Sequence, residues 1–321
     1  MAVLDSTVAP LRRVGARPSA AAADIAVLIP CYNEEAAIGG VVAGFRAALP
    51  GARIYVYDNN SRDRTAAIGR EAGAIVCRER LQGKGNVVTR MFADIDANVY
   101  LLVDGDGTYA PKAAPELIAH LVENHLDLVN GSRTGAHERR GHRLGNCLFN
   151  RIVGRIFGNG FDDMLSGYKV FSRRFVKSFP ALTAGFEIET ELTVHALRLR
   201  MPVAELPTAY RSRPAAESKL RTVRDGTRIL RAIVRLVKGE RPLAFFGGAA
   251  AVLGTLSVGI AVPVAVTFAE TGLVPRLPTA MLAMGIMLLA FLSLACGLVL
   301  DTVTRGRTEL RRLFYLGLPP P

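Results

Sequence analysis

Asp104 and Asp106 stand one residue apart at the end of the apolar run Val99-Tyr100-Leu101-Leu102-Val103, with Gly105 between them. A strand that ends in two closely spaced carboxylates gives a hard cation two oxygen ligands and leaves its other side open to a phosphate-bearing ligand. That pattern points to nucleotide chemistry. The same residues also build ordinary solvated turns, because Asp and Gly suit them. An EF-hand is excluded: positions five, six and twelve of such a loop fall on Thr108, Tyr109 and Pro115, where an acidic or amide residue, Gly and Glu are needed.

The elements that must position these carboxylates are legible upstream and downstream. β-rich runs at 25–29, 54–57, 74–77, 99–103 and 126–130 alternate with helical patterns at 34–49, 63–72, 85–96 and 115–124. Such alternation predicts an α/β fold, a mostly parallel sheet flanked by helices on both faces. Ligands of such sheets bind beyond the carboxyl ends of the strands. Pro30-Cys31-Tyr32-Asn33-Glu34 follows the first strand, Asp58-Asn59-Asn60-Ser61 the second, and Asp104-Gly105-Asp106 a later one, so one crevice can hold all three. Neither Gly-x-Gly-x-x-Gly after the first strand nor Gly-x-x-x-x-Gly-Lys-Ser/Thr occurs, which argues against a dinucleotide dehydrogenase and a P-loop ATPase. Phosphates are then left to a metal and to basic side chains.

At 321 residues the chain has room for one sizeable soluble domain and an addition. No charged residue occurs in 243–268 or in 277–300. Each run exceeds the roughly 20 residues that cross a bilayer core as a helix. The connection between them is too short to fold alone, so a transmembrane hairpin is expected, the competing reading being two helices buried in a large soluble core. Arg228, Arg231, Arg235, Lys238 and Arg241 precede the first run and Arg305, Arg307, Arg311 and Arg312 follow the second, while the connection carries only Arg276. The positive-inside tendency puts the soluble part and the C-terminus on the cytoplasmic side of the cell membrane.

The net charge of +12 suits either nucleic acid or an anionic membrane surface, and its distribution decides. Arg221, Arg224, Arg228, Arg231, Arg235 and Lys238 recur at helical steps beside Leu220, Val223, Leu230, Val234 and Val237. This predicts an amphipathic interface helix lying on membrane lipids, with a plain solvated face as the alternative and no nucleic acid as partner. Cys31, Cys77, Cys147 and Cys296 lack paired spacing, and the five His residues form no ligand pattern. Residues 1–23 have no continuous apolar core of a signal peptide and are expected to be a flexible leader.

Taken together, Ile29-Pro30-Cys31-Tyr32-Asn33-Glu34-Glu35, Val56-Tyr57-Asp58-Asn59-Asn60-Ser61-Arg62-Asp63-Arg64-Thr65, Gly83-Lys84-Gly85 and Val103-Asp104-Gly105-Asp106 resemble, in order and spacing, family 2 glycosyltransferases of the GT-A fold. The nearest subgroup is that of dolichyl-phosphate mannose synthase-like polyprenyl-phosphate glycosyltransferases, a likeness extended by Asp163-Met164-Leu165-Ser166-Gly167-Tyr168, by Gly185-Phe186-Glu187-Ile188-Glu189-Thr190-Glu191 and by the hairpin. The resemblance implies a GT-A catalytic domain over 24–215, the juxtamembrane helix over 216–241, two transmembrane helices over 242–304 and a cytoplasmic tail over 305–321.

It also implies roles. Pro30, Tyr32 and Glu34 frame the nucleoside, and Asp58 meets base or ribose unless it is a turn residue only. Asn59 departs from a second Asp common in the family. Lys84, between two glycines, is a phosphate contact or part of a simple strand-to-helix turn; Asp104 and Gly105 complete the nucleotide site. Asp104 and Asp106, with Thr108 where relatives can carry Gln, hold Mg²⁺ or Mn²⁺. Arg133, Arg143, Arg211, Arg213 and Lys219 are candidates for gripping the acceptor phosphate, against ion pairing for the first two and simple lipid adhesion for the others. Glu187, Glu189 and Glu191 head a helix, where carboxylates are favoured by the dipole; Glu191 best matches the family's recurrent acid, and Asp106, Arg133 and Glu191 are the catalytic candidates.

The expected activity is inverting transfer of one sugar from a UDP- or GDP-linked donor to polyprenyl phosphate. A processive polysaccharide synthase fits poorly, because the chain has no Trp for a Gln-x-x-Arg-Trp motif and only two spans. Another lipid acceptor and a non-catalytic nucleotide-binding scaffold remain as alternatives. Gly247, Gly248, Gly254 and Gly259 would permit close helix packing, including that of a homo-oligomer.

Overall fold

The computed structural model describes residues 24–134, 154, 161–180, 188–211, 234 and 237–319. Strands β1 (Ile25–Cys31), β2 (Arg53–Asp58), β3 (Ile75–Arg78), β4 (Val99–Leu102), β5 (Leu128–Thr134), β6 (Lys169–Ser172) and β7 (Val203–Ala209) form one sheet. Their order is β3-β2-β1-β4-β6-β5-β7. β1 pairs in parallel with β2 and β4, β2 with β3, and β5 with β7, whereas β6 runs antiparallel to both β4 and β5. The sheet is therefore mixed, parallel apart from one reversed strand.

Consecutive residues of β1 feed opposite faces, as the two-residue strand period requires. Val27 and Ile29 pack with Ile38, Val41, Val42 and Phe45 of α1 (Ile38–Ala48), and with Leu117, Ile118 and Leu121 of α4 (Ala114–Glu123). Ala26 and Leu28 face α3 (Lys84–Asp94), α5 (Arg173–Ser178) and α6 (Ile188–Arg198) through Val88, Met91, Phe175 and Leu192. The remaining small helix, α2 (Thr65–Glu71), leans on the first face through Ile68. Burial on both sides explains why β1 and β4 read as unbroken apolar runs. Because β1, β2 and β4 are parallel, the segments that follow them emerge on one edge.

Two long helices complete the chain, α7 (Pro242–Thr271) and α8 (Leu277–Leu316). They lie side by side as an antiparallel hairpin: Ser257 Oγ donates to Ala283 O at 2.7 Å and Ser293 Oγ to Phe246 O at 2.9 Å. Both are long and apolar enough to cross a membrane, and only 6% and 17% of their most apolar stretches are buried, so neither is a core helix of the described domain. Gly297 lies at their contact, where a Cβ would stand 3.0 Å from Phe246 Cβ, while Gly247, Gly248, Gly254 and Gly259 face open space.

α8 runs on well beyond the apolar stretch, so residues 305–316, expected as a tail, continue the helix; the Arg305–Asp301 pair at 2.8 Å spans one turn there. Most of the predicted interface helix lies outside the described residues, with Val234 and 237–240 helical.

Candidate active site

The loops after β1 and β2 are tied to each other by their own polar side chains. Asn33, whose φ of 55° lies in the left-handed region that Asn tolerates, donates its N–H to Ser61 Oγ at 2.9 Å and accepts from Arg62 N through Oδ1 at 2.9 Å. Glu34 N donates to Thr65 Oγ1 at 2.9 Å. Pro30 and Glu34 are half-buried and Tyr32 is exposed along this rim. Asp58 is buried, and both its oxygens accept from Ser61 N at 3.3 Å. The neighbouring Asn59 uses its whole amide: Nδ2 donates to Glu79 O at 3.0 Å and Leu81 O at 2.8 Å, and Oδ1 accepts from Gly83 N at 2.7 Å. A carboxylate has no proton for the first two bonds, so Asn here organises the loop that delivers Lys84.

The Asp-Gly-Asp segment is held by close backbone approach. A Cβ on Gly105 would lie 2.5 Å from Cys31 Sγ, and one on Gly167 would lie 2.2 Å from Asp104 Oδ2. Burial, with the carboxylates of Glu34, Asp58, Asp104 and Asp106 around it, pushes the Cys31 thiol well up, so it packs as a neutral filler. Asp106 Oδ1 accepts from Thr108 N at 3.0 Å and Thr108 Oγ1 at 2.6 Å. Thr108 thus fixes the carboxylate that precedes it. Tyr109 Oη accepts from Gly167 N at 2.8 Å, pinning the 166–168 turn against Asp104.

Lys84, the first residue of α3, bonds through Nζ to both Asp104 Oδ1 and Glu189 Oε1. Burial opposes the ammonium, but the Asp104 and Glu189 carboxylates outweigh it and hold its pKa above the ordinary lysine value. Burial pushes Asp104 up against the pull of Lys84, with Glu189 and Asp106 adding to the rise. Glu189, at the head of α6, carries this contact; Glu191 lies half-buried two residues further on.

Of the residues expected to grip the acceptor, Arg133 at the end of β5 is engaged by Asp163, with Nε to Oδ2 and Nη2 to Oδ1 both at 2.8 Å, and its guanidinium lies 5.5 Å from the Tyr210 ring centroid. The ion-pair reading of Arg133 therefore has a partner, and Arg133 holds the Asp163 carboxyl below its usual range against burial. Arg211 N donates to Thr108 O at 2.8 Å, which ties the residues just after β7 to the Asp-Gly-Asp loop. Arg143, Arg213, Lys219 and Glu187 lie outside the described residues.

The sequence alone gives Gly167, Tyr109 and Asp163 no separate role, and it names Glu189 only beside Glu187 and Glu191; the structure puts Glu189 on Lys84. The signal for Gly167 was its place in Ser166-Gly167-Tyr168; its contact with Asp104 exists only once β6 has reversed direction.

The donor set suits Mg²⁺ or Mn²⁺. Among the described residues no group of three or more His, Cys, Asp or Glu side chains forms a metal cage. Two carboxylates on a glycine turn are what a hard cation needs when substrate phosphates supply the rest of its shell.

The mixed sheet, parallel but for β6, with carboxylates at one edge and helices on both faces is consistent with the GT-A arrangement. A family model described as Glycosyl transferase family 2 matches residues 26–177. Glycosyltransferase AglJ of Haloferax volcanii is 33% identical over 247 residues, covering 75% of this chain and 81% of that protein. A dolichyl-phosphate hexose transferase of the same organism is 32% identical over 221 residues, covering 68% and 96%. Glucosyl-3-phosphoglycerate synthase from Mycobacterium tuberculosis, solved with Mn²⁺, UDP-glucose and phosphoglyceric acid, is similar in fold with a TM-score of 0.54, at 23% identity, over 68% of this chain and 80% of that one. The chain belongs to glycosyl transferase family 2. It is a glycosyltransferase of GT-A fold, related to dolichyl-phosphate sugar transferases.

Proposed function

We propose that this protein moves one sugar from a nucleotide diphosphate donor, UDP- or GDP-linked, to polyprenyl phosphate at the cytoplasmic face of the cell membrane. The observation that supports this reading best is the Arg211 bond to Thr108 O, which fastens the segment after β7 to the Asp-Gly-Asp loop in a chain that also carries two helices long and apolar enough to cross a membrane; in this reading the acceptor comes from the bilayer to that loop. The exposed apolar faces of α7 and α8, bordered by arginines, support the membrane placement.

In this mechanism Asp104 and Asp106 hold the divalent ion, with Thr108 keeping Asp106 oriented. When bound, the ion neutralises charge on the departing nucleoside diphosphate. Pro30, Tyr32, Glu34 and Asp58 seat the nucleoside, and Lys84 is within the same crevice for the phosphates. The acceptor phosphate oxygen attacks the anomeric carbon, the bond to the diphosphate breaks, and a single displacement inverts the centre. Arg133, fixed by Asp163, and Arg211 orient the acceptor, joined by Arg143, Arg213 and Lys219. A phosphate acceptor is anionic near neutral pH, so positioning outweighs proton abstraction, and Glu191 is an orienting acid.

Asp106→Ala is expected to abolish transfer while the protein remains folded in membranes. The assay supplies UDP- and GDP-sugars, Mn²⁺ or Mg²⁺ and a short polyprenyl phosphate in detergent, and identifies the product by lipid extraction and mass determination. Full activity of Asp106→Ala sinks the metal assignment. A sugar found on a soluble phosphate and never on the lipid sinks the acceptor assignment.

A further inference from the structure

A cation already sits on the carboxylate assigned to the metal. The Lys84 ammonium bridges Asp104 and Glu189, and the Lys84 and Glu189 side chains are only 12% and 8% exposed. The three groups arrive from three separate element ends: the start of α3, the segment after β4 and the head of α6. Asn59 and Gly83, whose φ is 131°, fix the backbone from which Lys84 springs. One ammonium is shared by the carboxylates of Asp104 and Glu189, and Asp106 stands close enough to Asp104 to add to the negative charge there.

Building on the metal and diphosphate assignment above, we infer that Lys84 is an internal stand-in for the metal at Asp104, and that Glu189 is the positioning residue that retains its ammonium in the crevice when the metal takes that place. A divalent ion on Asp104 and an ammonium on the same oxygen repel each other. The ammonium sits on a flexible four-carbon stem and can turn from one acceptor to another. Glu189 keeps it from leaving, and the donor's diphosphate, bound beside Asp104, is the acceptor it turns to. Asp104 is thereby never left as an uncompensated carboxylate in the interior, a state that burial makes costly. Metal and nucleotide then bind as a pair, because the nucleotide supplies Lys84 with the partner that the metal takes away.

The test is Mn²⁺ binding by the full-length protein in detergent, followed by electron paramagnetic resonance, with metal alone and with UDP or GDP added. The informative variant is Lys84→Met/Glu189→Gln, which removes one charge of each sign and leaves the net charge unchanged. With metal alone it is expected to bind Mn²⁺ roughly tenfold tighter than wild type, because the competitor is gone. With nucleotide present it is expected to bind several-fold weaker, because the phosphates have lost a partner. A merely structural ion cluster would not reverse sign between the two conditions. Equal affinities for metal alone, or a change in the same direction under both conditions, overturn the inference. Circular dichroism melts establish folding, and Lys84→Gln/Glu189→Gln, which keeps a hydrogen-bonding pair, is measured alongside so that a misfolded first variant does not decide the matter. Asp106→Ala separates the two levels. If it binds Mn²⁺ with nucleotide as wild type does, the metal site itself fails; if it does not, and the paired variant still matches wild type, only the exchange fails.

Discussion

Replacing Gly105 by alanine would bring a Cβ to 2.5 Å from Cys31 Sγ, with the next neighbours, Ile29 Cγ2 and Pro30 O, at an ordinary 3.4 and 3.5 Å. The single sulfur is thus the obstacle. Gly105→Ala is expected to displace Asp104 and Asp106 and to lower kcat/KM about 100-fold, since misplacing reacting groups by about 1 Å has that effect. Adding Cys31→Ala should restore most of the activity, and failure of that rescue would refute the packing argument. Gly167→Ala meets the Asp104 carboxylate itself, at 2.2 Å from Oδ2, and Cys31→Ala should not rescue it. The spacing of the two aspartates was open to reading from sequence because it is local. The reason for the glycine between them was not, because Cys31 comes from another strand. Asn59 makes the same point: its departure from a family aspartate is visible in the sequence, but the bonds of its amide to Glu79 O, Leu81 O and Gly83 N are not, because those partners lie on another loop.

At the scale of elements, β1 to β5 and α1 to α4 could be found from apolar periodicity to within a few residues. β6 could not. Lys169-Val170-Phe171-Ser172 has no alternation, and both its Lys and its Ser are buried. Lys169 is satisfied by Asn130 Oδ1 at 2.6 Å, Met164 O at 3.3 Å and Thr193 Oγ1 at 3.3 Å, partners spread over the sheet, a loop and α6. Burial drives its pKa down to about 8, against the pull of Glu189, Asp163 and Glu205. A lysine depressed in the folded state binds fewer protons than in the unfolded chain between the two pKa values, so stability rises with pH from about 8 to about 10.5. Below that window the charged group costs on the order of 3 kcal/mol. Thermal melts in detergent should show wild type gaining on Lys169→Met across this window. A difference that stays constant from about pH 8 to about 10.5 would show that the lysine is not titrating there.

For the whole molecule, α6 connects the chemistry to the hairpin. It begins with Glu189 on Lys84 and ends with Arg198, whose Nη1 meets Glu240 at 2.8 Å just before α7 and whose Nε and Nη2 meet Thr308 Oγ1 (2.7 Å) and Thr304 O (3.0 Å) of α8. A second clasp lies nearby: Tyr315 Oη donates to the fully buried Asp127 at 2.6 Å, and Arg174 pairs with the same carboxylate at 2.7 Å while its guanidinium lies 4.4 Å from the Tyr315 ring centroid. α8 is about 60 Å long at 1.5 Å per residue, about twice what a hydrocarbon core needs, and its last part, from Thr304 to Tyr315, is a strut against the domain. Neither clasp shows in the sequence, where residues 305–321 read only as a basic tail. If the strut sets the height of the crevice above the bilayer, loosening it should harm the acceptor side and spare the donor side. Arg198→Met/Glu240→Gln removes the clasp without leaving a lone buried charge, which by itself would cost about 3–5 kcal/mol. Transfer to long-chain polyprenyl phosphate in liposomes is expected to fall about tenfold, an interaction difference of about 1.4 kcal/mol, with KM for the nucleotide sugar unchanged. Equal losses on a short acceptor free in detergent would mean that the clasp supports the fold of the domain and not its placement on the membrane.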